Sequence, residues 1–562
     1  MCTSASAFLR GFFLFLKMMT WMRKKLLCPL RMLLTLRPTA SVCRPRFRVR
    51  TMATAAAAPP ASDYAALCER LREVNALNGV SGLLGWDEQT MMPDGAADLR
   101  AKQQAALAGV VYEKETAPEL GQLLARLQAA ALSDPWQAAN VRDAARNYKR
   151  KTALSKDLAQ REARLSSEGY QAWAKARKSS DFAAFAPVLR QWVDLTKEKM
   201  AAIDASKAPY DVALDAFERG MTSNRLDEIF KVVRDGLVPL LADVRTRGTP
   251  PDDSWLKRDF DVDKQAALCK EIAVEMGFNL THGRLDVSIH PFTGGAGPTD
   301  VRMTTRFKAN DLMEGLTGAI HETGHALYEQ ARPAGENDGM PVSEALSMGV
   351  HESQSLLWER CVALSRPFAA YLLPKLQAAF PDAPGLQGKT ADDLYRAMNA
   401  VSLRSLIRVE ADELNYPLHI ILRYELESSL LRSDISVEDL PRLWNARMQE
   451  YLGVTPDNDA QGVLQDVHWS AGAIGYFPTY SLGAMMAVQL FDAAKKAMPN
   501  LEDDIAAGRF APLREWLRVA IHSKGSLHPT LDELLISATG EPLRPEVFLA
   551  FLKRKYGEIY KL

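Results

Sequence analysis

The chain has 562 residues, 47% of them hydrophobic and 25% charged, with 69 basic and 69 acidic side chains. That composition is ordinary for a globular protein with a sizeable core and excludes a low-complexity or fibrous chain. No run of eighteen apolar residues occurs, so no helical membrane span is expected.

Residues 1–62 stand apart, with eleven Lys or Arg and no acidic residue before Asp63. A stretch rich in Arg, free of acids and dotted with Ser and Thr is the makeup of an organellar transit peptide, addressed to a mitochondrion or plastid. Two other readings stay open. Phe12 to Leu16 is a short apolar core for a secretory signal, although Arg10 and Lys17 crowd it, and translation from Met52 leaves a cytoplasmic protein. Without the eleven leader cations, 58 basic residues face 69 acidic ones, a net charge of −11. A mildly acidic body argues against a nucleic-acid partner, which calls for a basic face. Cys2, Cys28 and Cys43 fall in the leader, while Cys68, Cys269 and Cys361 are far apart with no C-x-x-C. They form neither a disulfide framework nor a thiolate metal site, and they imply a reducing compartment.

From Asp63 to about Gly248 the chain reads as successive amphipathic helices. Leu67, Leu71, Val74 and Leu77 make one stripe, and Leu99, Ala106, Leu107 and Val110 another. Lys149, Arg150 and Lys151 read as a solvated helix face. Residues 283–307 change period. Leu285, Val287 and Ile289 alternate with polar residues, as do Val301, Met303 and Thr305 beyond a turn carrying Gly294, Gly295 and Gly297. The pattern predicts a small β-hairpin whose edge could pair with an extended peptide.

The next helix carries His321-Glu322-Thr323-Gly324-His325. Asp311 followed by Glu314 suits a capping box, and Leu312, Leu316, Ile320 and Leu327 recur at helical spacing. Two His four apart project from one helix face, so both imidazoles can reach one tetrahedral zinc, with Glu322 beside the water that the metal polarises. Gly324, a poor helix former, is read as leaving room over the metal. A turn-rich stretch from Pro333 to Pro341 brings the chain back, and a second helix is expected from about Ser343 to Leu364. On its apolar stripe stands Glu352. A carboxylate there is costly unless it is paired or bound to a metal, which makes Glu352 the third ligand. Two later stretches, Ile407 to Asp412 and Gly462 to Trp469, collect polar residues densely, and Gly475 to Tyr480 follows them.

Zinc held by His321, His325 and Glu352, with Glu322 taking a proton from water and handing it to a leaving amine, is the chemistry of peptide hydrolysis. The developing oxyanion calls for a buried Tyr or His as donor. Cutting at a chain end calls for a fixed Arg, whose fork binds both oxygens of a terminal carboxylate; Arg302 and Arg408 are the candidates, and spacing does not choose between them.

The chain from about residue 63 to its end resembles the metallocarboxypeptidases typified by carboxypeptidase Taq. The likeness is carried by His290-Pro291-Phe292, Asp300-Val301-Arg302-Met303-Thr304, the zinc helix, His351-Glu352-Ser353-Gln354, Ile407-Arg408-Val409-Glu410-Ala411-Asp412 and Gly462-Val463-Leu464-Gln465-Asp466-Val467-His468-Trp469. The resemblance implies one catalytic domain over 63–562, mainly α-helical, with a deep groove similar in shape to neurolysin and angiotensin-converting enzyme. It implies release of single C-terminal residues with proline disfavoured, a homodimer, and zinc or cobalt as the metal. It supports Glu322 as the base and Glu352 as the ligand, makes Arg408 the carboxylate anchor, and makes His290, Arg302, Gln354, His468 and Tyr480 polar contacts along the groove. An oligopeptidase with the same metal site is the rival activity. The intact Glu322 argues against an inactive, purely binding relative.

Overall fold

The computed structural model describes residues 60–562 apart from Ala131 and Pro384, so the leader expected at 1–62 lies, up to residue 59, outside the described residues. Among the described residues nine α-helices come first: α1 (Pro60–Thr90), α2 (Ala97–Glu115), α3 (Pro118–Ala129), α4 (Pro135–Thr152), α5 (Lys156–Ser179), α6 (Phe182–Asp204), α7 (Pro209–Leu214), α8 (Ser223–Thr246) and α9 (Val262–Met276). Many of their starts are set by one residue. Asp134, Ser155, Asp181, Thr222 and Asp261 each accept a hydrogen bond from a backbone N–H of the first turn, each cap being worth about 1 kcal/mol. Leu67 is buried as the first stripe requires, but the second stripe is out of phase. Leu99 is 59% and Val110 44% exposed, and α2 instead buries Gln104, Ala105, Ala108 and Val111. With so many alanines in α2, neither face is distinctly more apolar, and packing rather than pattern chooses the side that turns inward.

Three strands follow, β1 (Gly283–Val287), β2 (Phe292–Gly297) and β3 (Asp300–Thr305), in the order β1-β3-β2. This corrects the expected hairpin. The two alternating segments pair in parallel, Gly283 opposite Val301 through Val287 opposite Thr305. The glycine-rich stretch is itself a strand, antiparallel to β3. Its glycines serve close approach. A Cβ on Gly295 would lie 2.0 Å from the Asp300 carbonyl oxygen, and one on Gly82 of α1 would lie 2.3 Å from the Gly295 carbonyl oxygen.

The remaining helices are α10 (Leu312–Gln330), α11 (Met348–Leu356), α12 (Arg366–Ala379), α13 (Ala391–Met398), α14 (Tyr416–Arg432), α15 (Leu440–Leu452), α16 (Pro478–Ala497), α17 (Leu501–Ala506), α18 (Ala511–Ala520), α19 (Leu531–Thr539) and α20 (Pro545–Tyr560). The fold is mainly helical. Helices α14 and α16 bury residues on all sides and form its centre. Helix α10 packs against α9, β3 and α11, and α11 packs against α16. Helix α11 begins at Met348, later than the sequence pattern suggests, because Pro341–Ser343 forms a separate 3₁₀ turn and Ser347 caps the helix by accepting from the Val350 N–H. It continues as a π-helix over Leu357–Ala363. Among the described residues no helix is long and apolar enough to cross a membrane.

Candidate active site

Helices α10 and α11 cross at Gly324. A Cβ there would lie 2.6 Å from the Ser355 Cα and 2.7 Å from the Gln354 carbonyl oxygen. The glycine therefore makes room for the second helix, not, as the sequence suggests, for the metal. On the other side of α11, a Cβ on Gly483 of α16 would lie 2.8 Å from the Glu352 Cβ, so a second glycine lets Glu352 sit between helices.

This crossing gathers one donor atom each from His321, His325 and Glu352, all within 4.8 Å of one another. The Glu352 carboxylate stands 3.7 Å from His325 Nε2 and accepts no hydrogen bond among the described residues. Burial raises its pKa, and the nearby His321 opposes that shift. A half-buried carboxylate without a donor, facing imidazole nitrogens, is the set of ligands that a divalent metal satisfies.

The outward ends of both imidazoles are already committed. His321 Nδ1 lies 2.7 Å from Glu359 Oε2, which comes from the π-helical turn. His325 Nδ1 lies 2.6 Å from His351 Nδ1, and His351 Nε2 lies 2.8 Å from Glu329 Oε1. An ionised carboxylate only accepts, so His351 Nε2–H donates to Glu329. With Nε2 donating, His351 accepts at Nδ1 from His325 Nδ1–H, which leaves the His325 Nε2 lone pair facing the cluster. Burial is the chief cause that holds the His325 pKa well below the usual range, consistent with a neutral ligand. Burial also pushes His321 down, but Glu359, Glu352 and Glu322 outweigh it and hold it at about 9 in the metal-free protein. A dication held by His321 would take the place of that proton.

Glu322 is 6% exposed. Its Oε2 accepts a 2.7 Å hydrogen bond from the Thr293 hydroxyl of β2. Burial raises the Glu322 pKa, with His321 and Thr293 pulling it back. Thr293, Glu329 and Glu359 escaped the sequence reading. Nothing in the spacing of a strand Thr or two further helix Glu residues marks them as metal-site partners.

A second polar group adjoins the cluster. Arg408 is buried. Its Nε and Nη2 meet Asp466 Oδ1 at 2.9 and 2.8 Å, its Nη1 donates to the Tyr416 hydroxyl at 2.9 Å, and its guanidinium lies 5.2 Å from the Tyr480 ring centre. Burial opposes its charge, but Asp466 outweighs this and raises the pKa of Arg408. Asp466 is shared with the fully buried Arg423. Burial is the largest cause raising the pKa of Tyr416, Tyr476 and Tyr480 and the Glu352 charge adds to it, so the three phenols are neutral donors within electrostatic reach of Glu352. His468 stacks 4.3 Å from the Phe477 ring centre, with neither ring nitrogen hydrogen-bonded among the described residues. Burial, then the Arg408 charge, lowers its pKa to about 3, so it is neutral.

Of the other expected contacts, His290 lies within electrostatic reach of His321 and Arg408. Arg302 does not join this group. It pairs with Asp300 at 2.7 and 2.9 Å and lies 4.7 Å from the Trp86 ring centre. Gln354 is buried and turned away, bonded to Ser353 Oγ at 2.8 Å and to His522 Nε2 at 2.9 Å. As the residue two past Glu352 it points roughly 200° round the helix from the ligand, which explains the correction.

Comparison with known proteins decides the family. The family described as carboxypeptidase Taq (M32) metallopeptidase matches residues 66–556. The chain belongs to this family. It is 40% identical to thermostable carboxypeptidase 1 of Thermus thermophilus, over 89% of this chain and 99% of that one, and 36% identical to carboxypeptidase 1 of Bacillus subtilis, over 88% and 97%. The solved M32 carboxypeptidase of Deinococcus radiodurans superposes with a TM-score of 0.86 at 37% identity, covering 89% of this chain and 100% of that one. The metallocarboxypeptidase 1 of Trypanosoma cruzi gives 0.84 at 38%, covering 88% and 99%. This M32 chain is a metallocarboxypeptidase, and its family requires the divalent metal that His321, His325 and Glu352 are placed to bind.

Proposed function

We propose that this enzyme removes single residues from the free C-terminus of peptides in a deep groove, with proline disfavoured, using Glu322 as general base and zinc, or cobalt, at His321, His325 and Glu352. A metal there supplies a Lewis acid for the scissile carbonyl and lowers the pKa of water from 15.7 to about 7. Thr293 holds one oxygen of Glu322, which leaves the other to accept the proton of the attacking water and pass it to the leaving amine. Tyr476 and Tyr480 offer neutral hydroxyls to the oxyanion. His290 and His468 line the path of the peptide. Arg408 anchors the terminal carboxylate, and the contrast with Arg302 carries that assignment. Arg408 sits among the tyrosines that feel the Glu352 charge, whereas Arg302 is tied to Asp300 and Trp86.

The test compares one peptide with a free C-terminus and the same peptide amidated, products being followed by mass. Stepwise loss of single residues from the free peptide alone is expected. Equal internal cutting of both would place the enzyme with the oligopeptidases instead. We further propose a homodimer and import into a mitochondrion or plastid through residues 1–62. Sedimentation of the purified chain tests the first, and a fluorescent fusion with and without those residues tests the second.

A further inference from the structure

Helix α4 carries Arg142, Arg146 and Arg150 at intervals of four, so three like charges share one face of a helix, an arrangement that costs stability unless something offsets it. The face is not solvated in the way the sequence suggests. It forms one wall of a cleft of about 1040 Å³ between α3, α4 and the segment 203–220, lined also by Lys149, Lys207 and Arg219. The four arginine side chains are only 15–32% exposed.

Two aspartates serve these four arginines. Asp143 takes Arg142 at 2.7 Å and Arg219 at 2.8 Å, and Asp215 takes Arg146 at 2.9 Å and Arg150 at 3.4 Å. Two positive charges are left over at the bottom of the cleft. On the rim, Lys149 and Lys207 outnumber Asp204. Arg150 is held loosely, since its only other partner among the described residues is the Val212 carbonyl oxygen, also at 3.4 Å. Buried Arg219 Nε has no partner at all among the described residues. Burial, and then the charge of Arg146, pushes the Arg150 pKa down, so the cleft holds guanidinium groups that disfavour one another's charge. Beside them lies an apolar wall of half-buried Leu132, Tyr148 and Ile203, with Leu124, Leu127 and Val141 buried behind it. All of this sits on a body with a net charge of −11, so the cleft is a local reversal of sign.

We propose that this cleft binds an organic phosphate: a dianionic head among Arg146, Arg150 and Arg219, with an apolar body against Leu132, Tyr148 and Ile203. The surplus of two positive charges matches a phosphate monoester, which carries about −1.5 to −2 at neutral pH, better than it matches a single carboxylate. Guanidinium forks bind such oxygens in pairs.

The probe is phenyl phosphate, titrated calorimetrically into the full chain, both metal-loaded and after chelation, with inorganic phosphate and benzoate as comparators. One site is expected, unaffected by chelation, weakened by salt, and at least tenfold tighter for phenyl phosphate than for either comparator. Arg150→Gln is expected to weaken it tenfold or more. Lys149→Gln with Lys207→Gln, both on the exposed rim and harmless to folding, is expected to weaken it severalfold. Absence of binding heat, binding lost on chelation, equal affinity for benzoate, or an affinity indifferent to both sets of substitutions each overturns the proposal.

Discussion

Replacing Gly324 by Ala tests whether the metal site depends on the closeness of two helix backbones. The added Cβ would meet the Ser355 Cα at 2.6 Å and the Gln354 carbonyl oxygen at 2.7 Å, against an ordinary contact distance of 3.4 Å or more. Both obstacles are backbone, so α10 and α11 must separate by about 0.8 Å at the crossing. His325 is the next residue on one helix, and Glu352 lies within one turn on the other. Their donor atoms already stand 3.7 Å apart, whereas tetrahedral ligands at about 2.1 Å from zinc sit roughly 3.4 Å from each other. Overpacking costs about 1–3 kcal/mol, and Ala returns about 1 kcal/mol in helix propensity. Stability of the metal-free protein should therefore fall by no more than about 2 kcal/mol. Metal affinity should fall roughly ten- to a hundredfold, because a ligand set tolerates only about 0.5 Å of misplacement. Urea unfolding of the metal-free variant and zinc competition with a chelator separate the two effects. A folded Gly324→Ala protein with wild-type zinc affinity would refute the reasoning.

Other consequences are checked in the same way. Glu359→Gln and His351→Phe remove the groups that orient His321 and His325, and each should weaken metal binding about 10- to 100-fold in the chelator assay while the fold persists; unchanged affinity would mean that the imidazoles are positioned by packing alone. Thr293→Val frees the second oxygen of Glu322 and should lower kcat about tenfold with metal content unchanged, since a hydrogen bond to a charged group is worth about 1.5–3 kcal/mol. Arg408→Ala should raise KM and lower kcat for peptides with a free C-terminus, and an equal loss on amidated peptides would remove Arg408 as the anchor. Glu218 bears on pH. It is buried, accepts from the Gly349 N–H at the start of α11, and burial raises its pKa from 4.5 to about 8. The folded state thus holds a proton that the unfolded chain releases, so its contribution to stability is complete below pH 4.5 and is lost as pH rises towards about 8, by up to about 1.4 kcal/mol per pH unit. Unfolding midpoints from pH 5 to 9 should fall less steeply for Glu218→Gln than for the wild type; parallel curves would count against it.

The sequence by itself determined the helical class and the three residues, His321, His325 and Glu352, that gather as a candidate metal site. Each of these depends on local spacing. Two His four apart share a helix face whatever surrounds them, a carboxylate on an apolar stripe signals itself by its cost, and capping residues mark helix starts one by one. Where the local signal is weak, as on alanine-rich α2 or in the glycine run that became β2, the sequence reading failed. The contacts that tie Arg302 to Asp300 and Trp86 and Arg408 to Asp466, the inward turn of Gln354, and the partners Thr293, Glu329 and Glu359 were decided only by the tertiary structure. So was the basic cleft behind Arg150. Each depends on which side chains meet from segments far apart in the chain: 58 residues separate Arg408 from Asp466, and 38 separate His321 from Glu359. A guanidinium or carboxylate is equally content with several partners, and only the packed helices bring one of them within hydrogen-bonding distance.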